Sequence, residues 1–357
     1  MKWPGNLSAL LNIRHPVIQA PMYGVTSPEM VAAAAAAGAL GSLALGDLPA
    51  GQCRELILKT RALTDRPFAV NIFVHQTPEL TETLKAKYTQ TRIFIEELAR
   101  QHMLPVNLPH IEELVFTDYR EQVDLLIAEQ CPVVSFIFGN LDTNSILKFK
   151  AKGTVLIGTC TSVEEALILE ASGIDLICVQ GWEAGGHRGS FREEPVPKIG
   201  GLSLLAQVAD QVKVPLIYAG GIYDAKTAFA ASALGAQGIQ VGSLLLGSLE
   251  SDLKGFEKDH LRTAGEADIV LTKSFSGRYA RGLQNLFTKA FEQVALTLPY
   301  PYQNKLTGPL RQAAKANSNT DFVSIWAGQS RAGYRNASTT AILEELINSI
   351  IKYSWNP

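Results

Sequence analysis

The stretch TVLIGTCTSVEEALILEASGIDLICVQG, residues 154–181, contains a complete strand–helix–strand unit. Two apolar runs, 154–160 and 175–181, flank a segment that is expected to form a helix. Ser162 suits the N-cap of that helix, and Gly173 suits its C-terminal end. The apolar runs are continuous rather than alternating, which is typical of parallel strands that are buried on both faces of a sheet. The stretch therefore predicts a parallel β–α–β unit.

The same alternation of strand and helix recurs along most of the chain. Helices are predicted at 27–38 and 224–235, with Asp224 as an N-cap and with Gly38 and Gly235 as stops. Eight apolar runs are predicted to be strands: 16–22, 40–46, 68–74, 133–139, 154–160, 175–181, 214–221 and 238–243. Eight such units in about 250 residues predict an α/β fold of the (β/α)8 TIM-barrel type. A doubly wound open sheet is the competing architecture, but no G-x-G-x-x-G turn follows the first strand.

Two segments of the chain do not belong to a minimal (β/α)8 barrel. We expect residues 1–250 to form the barrel, with a helical insertion at about 75–130 that includes a polar helix at 82–102. Residues 251–337 are expected to be a loop-rich insertion on the substrate side. Residues 338–357 are expected to supply a C-terminal helix that closes the barrel.

Composition excludes several classes of function. The chain has 357 residues, 46% hydrophobic content and a formal net charge of −2, without a basic block, so nucleic-acid binding is not expected. No long uncharged apolar run predicts a membrane span, and the N-terminus does not read as a signal peptide. The absence of G-x-S-x-G and H-E-x-x-H patterns argues against a serine hydrolase and a metalloprotease, and we expect no metal site.

The four cysteines are not spaced as metal ligands. None forms a C-x-x-C pair, and three lie in or beside apolar runs. They are Cys53, Cys131, Cys160 and Cys178. Buried free thiols in a reducing cytoplasm are the expected interpretation.

Glycine-rich turns follow the seventh and eighth predicted strands. Gly220 and Gly221 end the seventh, and Gly242 and Ser243 end the eighth. In TIM barrels the active site lies at the carboxyl ends of the strands, and backbone N–H groups after strands seven and eight commonly hold a phosphate. We therefore expect a phosphorylated ligand. The alternative is that these glycines only permit tight turns.

Three polar residues point to chemistry at the same end of the barrel. Asn71 and Gln180 lie in apolar strands, and their amides suit the polar edge of a heteroaromatic ring, although a satisfied buried amide is the commoner outcome. His187 lies in a glycine-rich loop and is the candidate acid or base, the alternative being a structural role. Arg278 and Arg281 could reach the phosphate, but a structural ion pair is favoured.

Several motifs together carry a resemblance to a known family. They are IQAPM (18–22), VNIF (70–73), VQGWEAGGHRG (179–189), AGGI (219–222), IQVGS (239–243), FSGRYARG (275–282) and WAGQ (326–329). This set resembles the nitronate monooxygenase family, formerly called 2-nitropropane dioxygenases, and looks similar to its class I members. Ser243 and Tyr279 depart from the family, which often has threonine and proline at these positions.

The resemblance implies a (β/α)8 barrel with non-covalent FMN and oxidation of alkyl nitronates, notably propionate 3-nitronate, by O2 through a flavin semiquinone. The expected products are a carbonyl compound and nitrite or nitrate. By this resemblance, His187 corresponds to the catalytic histidine of the family. The residues expected to bind FMN are Met22, Asn71, Gln180, Gly185, Gly220, Gly221, Gln240, Val241, Gly242 and Ser243. Whether the protein is a monomer or a homodimer is left open.

An NAD(P)H-dependent flavin reductase on the same fold is the nearest alternative. Flavin-dependent enoyl-acyl-carrier-protein reductases share much of the AGGH and AGGI pattern, and NADH:quinone reductases once grouped with the family are a second case. A flavin- or phosphate-binding protein without turnover is a third possibility, against which His187 argues.

Overall fold

Eight parallel strands form the central sheet of the computed structural model, which describes residues 5–330 and 333–353. The strand bounds are β1 Val17–Gln19, β2 Gly41–Gly46, β3 Phe68–Phe73, β4 Val133–Ile137, β5 Val155–Cys160, β6 Leu176–Gln180, β8 Leu216–Ala219 and β9 Gly238–Val241. Strand β7, Gly186–His187, belongs to a second sheet that is described below. The order of the eight strands in the central sheet is β1-β9-β8-β6-β5-β4-β3-β2. Each of the eight predicted apolar runs contains one of these strands.

A bridge between the two ends of this order closes the sheet into a barrel. Ile18 of β1 pairs in parallel with Leu40, just before β2. Gln19 N donates to Leu40 O and Leu40 N donates to Val17 O, both at 2.9 Å. The (β/α)8 prediction is therefore confirmed, and the open doubly wound sheet is excluded.

The helices are α1 Leu7–Leu10, α2 Pro28–Ala36, α3 Ala50–Leu63, α4 Glu82–Gln101, α5 Tyr119–Ala128, α6 Thr143–Lys150, α7 Val163–Ala171, α8 Gly201–Gln211, α9 Ala225–Ala233, α10 Gly255–Thr263, α11 Leu286–Glu292, α12 Tyr302–Leu306, α13 Gly308–Ala316 and α14 Thr339–Lys352. Single 3-10 turns occur at Ile111–Glu113, Ser243–Leu245 and Glu266–Asp268. The predicted caps are confirmed, since Ser162 Oγ accepts from Glu165 N at 3.2 Å and Asp224 Oδ1 accepts from Thr227 N at 2.8 Å. The predicted stops all have positive φ: Gly38, Gly173 and Gly235.

The segments outside the minimal barrel pack together over its carboxyl end. Helix α4 and the chain after β9 share one hydrophobic cluster, in which Phe94 and Phe291 place their rings 5.8 Å apart. Thr91 Oγ1 also donates to Leu296 O at 2.8 Å. The region after residue 250 contains more regular structure than the predicted loop-rich insertion, because its helices bury apolar faces in this cluster.

A second, antiparallel sheet lies within this outer layer. It contains β7 Gly186–His187, β10 Ile269–Thr272 and β11 Ala280–Leu283, in the order β10-β11-β7. His187 pairs with Ala280. The sheet thus joins the loop after β6 to the chain that follows the barrel.

Helix α14 packs on the outside of the barrel, between α2 and α9. It buries Leu343 completely, and Thr340 Oγ1 donates to Ala33 O of α2 at 2.8 Å. The helix thereby occupies the position in the outer ring that follows β9.

Among the described residues, no helix is long and apolar enough to cross a membrane. The described histidines, cysteines and acidic residues do not form a group that could hold a metal ion. All four cysteines are free and buried, as predicted.

Candidate active site

A cavity of about 620 Å³ opens at the carboxyl ends of the barrel strands. The predicted site residues that line it are Met22, Asn71, Gln180, Gly185, His187, Gly220, Gly221, Gln240, Gly242 and Ser243. Val241 does not line the cavity, because its side chain lies in the hydrophobic core between the sheet and the helices. Its carbonyl oxygen accepts from Ala20 N at 2.9 Å. The strand ends therefore bring the predicted residues together with this one exception.

Gln180 anchors the glycine loop that carries His187. Its Nε2 donates to His187 O, and its Oε1 accepts from Gly189 N, both at 2.9 Å. Gly186 has φ 72°, a conformation that glycine adopts without steric cost. Gln180 thus lines the cavity, but its amide already makes hydrogen bonds to the loop. This is the outcome that the sequence analysis gave as the commoner one for a buried amide.

His187 is half-buried and faces the cavity. Its Nε2 lies 2.8 Å from Ser276 Oγ, while Phe138 and Trp326 pack against the ring at centroid distances of 5.7 and 5.5 Å. Burial, together with the charges of Arg311 and Arg278, lowers the pKa of His187 to about 3. The imidazole is therefore neutral at pH 7.

The partner of His187 allows either neutral tautomer. Ser276 Oγ lies 3.0 Å from Arg278 O, to which it can donate, and it can alternatively donate to His187 Nε2. In the first arrangement His187 Nδ1 presents a lone pair, and in the second it presents N–H. Because Nδ1 makes no hydrogen bond to the described part of the chain, it is the nitrogen left for a ligand.

The arginines around the loop make structural contacts with backbone oxygens, aromatic rings and a carboxylate. Arg188 is 1% exposed, donates to Gly181 O at 2.6 Å and lies over the Trp182 ring. Arg281 Nη2 donates to Trp182 O at 2.9 Å. Arg278 lies 3.8 Å from Glu193 and 4.4 Å from the Phe138 ring centre.

These contacts revise the predicted roles of two arginines. The ion pair favoured for Arg278 is present, but Arg281 has no carboxylate within ion-pair distance in the described residues. Neither side chain lines the cavity, so the alternative of a contact with a phosphate is not supported.

The turns after β8 and β9 form an open cradle. Gly220 and Gly221 have φ of 125° and 70°, so a side chain would be strained at both. Ser243 Oγ accepts from Gly328 N at 2.8 Å, which leaves its own hydrogen free to donate into the cavity. Backbone N–H groups and a hydroxyl at this position fit a phosphate.

Asn71 closes another side of the cavity. It is 3% exposed, and its Nδ2 donates to Ser135 Oγ at 2.9 Å. Met22 lies across from Gly242, where an added Cβ would stand 3.6 Å from Met22 Sδ. The wall therefore includes an amide, a thioether and bare backbone, a lining that suits a flat polar ring.

The motif 326–329 runs along the glycine loop. Gln329 N donates to Glu183 O at 3.0 Å. A Cβ on Gly185 would lie only 2.4 Å from Gly328 N. The close approach of the two backbones explains why both segments carry glycine.

Several cavity residues were not among the sequence predictions. They include Tyr23, Asp47, Tyr300, Lys305 and Arg311. Lys305 Nζ lies 3.1 Å from Asp47 Oδ2, and burial and Asp47 raise the pKa of Tyr23 to about 12. The only signal for the last three was the proline- and tyrosine-rich segment 298–309 and its continuation, whose position over the barrel the sequence does not reveal.

A family model described as nitronate monooxygenase matches residues 5–352. The chain belongs to the nitronate monooxygenase family. A probable nitronate monooxygenase of Staphylococcus saprophyticus is 37% identical to it, over 97% of this chain and 98% of the relative. The resemblance inferred from the motifs is therefore confirmed, and the chain is an oxidoreductase of this family.

Solved structures extend the comparison. A nitroalkane oxidase from Streptomyces ansochromogenes matches with a TM-score of 0.87 and 34% identity, covering 97% of this chain and 98% of the other. FabK from Thermotoga maritima matches with a TM-score of 0.75 and 26% identity, covering 97% and 96%. Both similarities span the barrel and the outer layer. Family membership and the similarity to the nitroalkane oxidase support nitronate oxidation.

Proposed function

We propose that this protein is an FMN-dependent nitronate monooxygenase that oxidises alkyl nitronates, such as propionate 3-nitronate, with O2. The products would be a carbonyl compound and nitrite or nitrate. The observation that carries the proposal is the neutral His187, which lines a cavity at the carboxyl end of a barrel of this family and whose Nδ1 makes no hydrogen bond to the described residues.

The residues of the cavity fit FMN. Gly220, Gly221, Gly242 and Ser243 would hold its phosphate through backbone N–H groups and a hydroxyl, and Asn71 would contact the ring. When bound, FMN supplies the electron transfer from the nitronate to O2. The protein supplies binding, orientation and control of protons.

His187 would hold the nitro group of the substrate. With Ser276 Oγ donating to Nε2, His187 Nδ1–H donates to a nitronate oxygen. With the other tautomer, Nδ1 can accept the α-proton of a neutral nitroalkane, which leaves an imidazolium beside the new nitronate. Because burial and two arginines disfavour that imidazolium, the site favours substrates that arrive already ionised.

Oxygen consumption tests this proposal. Air-saturated protein with bound flavin should consume O2 and release nitrite when propionate 3-nitronate is added, without any pyridine nucleotide. Ethyl nitronate should have a kcat/KM at least about tenfold above that of nitroethane. Only nitroethane must give its α-proton to His187, whose lowered pKa makes it a weak base, and one pKa unit corresponds to a tenfold factor. Release of nitrite at the rate seen without protein would refute the proposal.

A flavin reductase would give a different result. It would oxidise NAD(P)H rapidly in the presence of an enoyl thioester or a quinone, and it would not release nitrite. Separate samples of the same protein with NADPH and an enoyl thioester or a quinone, assayed for the loss of NADPH absorbance, therefore decide between the two activities.

We also propose a reducing cytoplasm as the compartment, because all four cysteines are free and buried. The choice between monomer and homodimer stays open as predicted, and sedimentation analysis decides it.

A further inference from the structure

The positive and negative charges of the residues that line the cavity are unequal in number. Two are carboxylates, Asp47 and Glu257, and three are cations, Lys305, Lys315 and Arg311. Lys305 Nζ lies 3.1 Å from Asp47 Oδ2, and Lys315 Nζ lies 3.3 Å from Glu257 Oε2. Within the part of the chain that the structure describes, no carboxylate lies within ion-pair distance of Arg311. The lining therefore carries one uncompensated positive charge.

Neutral oxygen atoms hold the Arg311 guanidinium in place. Its Nε donates to Thr307 O at 3.3 Å, and its Nη2 donates to Asn304 O at 2.8 Å and to Asn304 Oδ1 at 2.9 Å. Its Nη1 makes no hydrogen bond to the described residues. The group is thus fixed on helix α13, with one nitrogen left for a ligand.

Arg311 faces the same space as the candidate catalytic residue. After burial, its charge is the largest influence that lowers the pKa of His187. It also interacts electrostatically with Tyr23, Asp47 and Tyr300. Tyr23 follows β1 and Asp47 follows β2, whereas the phosphate cradle follows β8 and β9. The cradle has its own N–H and hydroxyl donors, so it does not require this guanidinium.

We propose that Arg311 binds the anionic group of the substrate through Nη1 and thereby makes the cavity selective for monoanions. The group recognised would be a planar pair of oxygens, as in a nitronate or a carboxylate, for which guanidinium is the best-matched side chain. The assignment to a substrate rests on the proposed function, whereas the anion site itself does not.

Binding of two isosteric probes to the purified holoprotein tests the anion site. Propionate carries one negative charge, and propionamide is its neutral counterpart. Calorimetry of Arg311→Met should show propionate affinity lowered by about 10- to 100-fold, the usual contribution of a hydrogen bond to a charged group. Propionamide affinity and flavin content should stay within about twofold of wild type, since neither requires a cation at this position.

Lys315→Met is the matched control, because it removes the same charge from the same lining at a cation that already has a partner. It should lower propionate affinity less than Arg311→Met does, because the charge of Lys315 is already paired with Glu257. Equal losses in the two variants would mean that only net charge matters, and that result would overturn the assignment. Unchanged propionate affinity in Arg311→Met would overturn it as well, and so would failure of wild type to bind propionate.

Further outcomes separate this proposal from the proposed function. Loss of flavin in Arg311→Met, with propionate binding retained per flavin, would place the guanidinium on the cofactor and overturn the proposal. If wild type oxidises nitronates, Arg311→Met should raise the KM for ethyl nitronate at least about tenfold with a smaller change in kcat. If wild type does not, Arg311-dependent propionate binding still supports the anion site while the proposed function fails.

Arg311→Lys is a second variant that tests the same site if Arg311→Met does not fold. Lysine keeps the charge but loses the planar fork, so propionate affinity should fall at least about tenfold at a site that uses Nη1. Wild-type affinity in Arg311→Lys would contradict the geometry proposed here.

Discussion

His187 obtains its chemical properties from residues that are distant in the sequence. Its hydrogen-bond partner Ser276 lies 89 residues further along, and Arg311 contributes from α13. The sequence could single out His187 because one titratable residue among glycines after a strand is unusual. Ser276 lies in the motif 275–282, but the sequence could not show that it contacts His187 or that Arg311 lies near them.

His187→Asn tests the role of the imidazole. Asparagine can still donate a hydrogen bond but cannot accept a proton, so kcat/KM for nitroethane should fall by about 10²- to 10⁴-fold. The value for ethyl nitronate should fall less, and flavin should stay bound. The control is His75→Asn, because His75 is not among the cavity-lining residues. Equal losses for both substrates would rule out proton abstraction by His187.

Acid stability provides a second test at the same residue. The pKa of His187 lies near 3 in the folded protein, below the ordinary value of 6.5. Between these values the unfolded chain binds a proton that the folded chain excludes, so stability falls as the pH falls from about 6.5 toward 3. The Tm of His187→Asn should therefore fall less over this interval than that of wild type. Parallel Tm profiles would contradict the lowered pKa.

At the scale of elements, the glycine loop and the segment 326–329 behave as one unit. Ser243 Oγ and Glu183 O both accept from backbone N–H groups of that segment. The sequence indicated glycine turns but not what would approach them, because a glycine permits close contact without specifying the neighbour.

Gly185→Ala measures the importance of this contact. An added Cβ would lie 2.4 Å from Gly328 N and 2.6 Å from Ala327 C, so one backbone must move. We expect flavin content to fall and unfolding free energy to drop by about 1–3 kcal/mol, the usual cost of overpacking. Gly51→Ala, in helix α3 with open space around the position, should be neutral or stabilising by up to about 1 kcal/mol. Wild-type flavin content and stability in Gly185→Ala would contradict the packing described.

The outer layer illustrates what sequence patterns leave open. The polar helix predicted at 82–102 is present as Glu82–Gln101, and its apolar face packs on the chain after β9. Amphipathic spacing predicts that a helix has a buried face but not which distant segment covers it. Hence the strands of the barrel could be predicted one by one, whereas the position of the outer layer, which supplies Arg311 and Tyr300, could not.

At the scale of the whole molecule, α14 completes the ring of helices around the barrel. Leu343→Ala should lower the unfolding free energy by about 2–5 kcal/mol, because it leaves a cavity at a fully buried position. Ile351, on the same helix, is 55% exposed, and Ile351→Ala should change stability by less than about 0.5 kcal/mol. Chemical denaturation measures both. Equal effects would show that α14 is not part of the cooperative fold.

The central claim, that this barrel oxidises nitronates without a pyridine nucleotide, is tested most directly by the absorbance of the bound flavin in the absence of O2. We would mix the purified protein with propionate 3-nitronate in one sample and with NADPH in another. The account predicts a rapid change in flavin absorbance with the nitronate and none with NADPH. Rapid bleaching by NADPH, with no response to the nitronate, would contradict it and assign the protein to the flavin reductases.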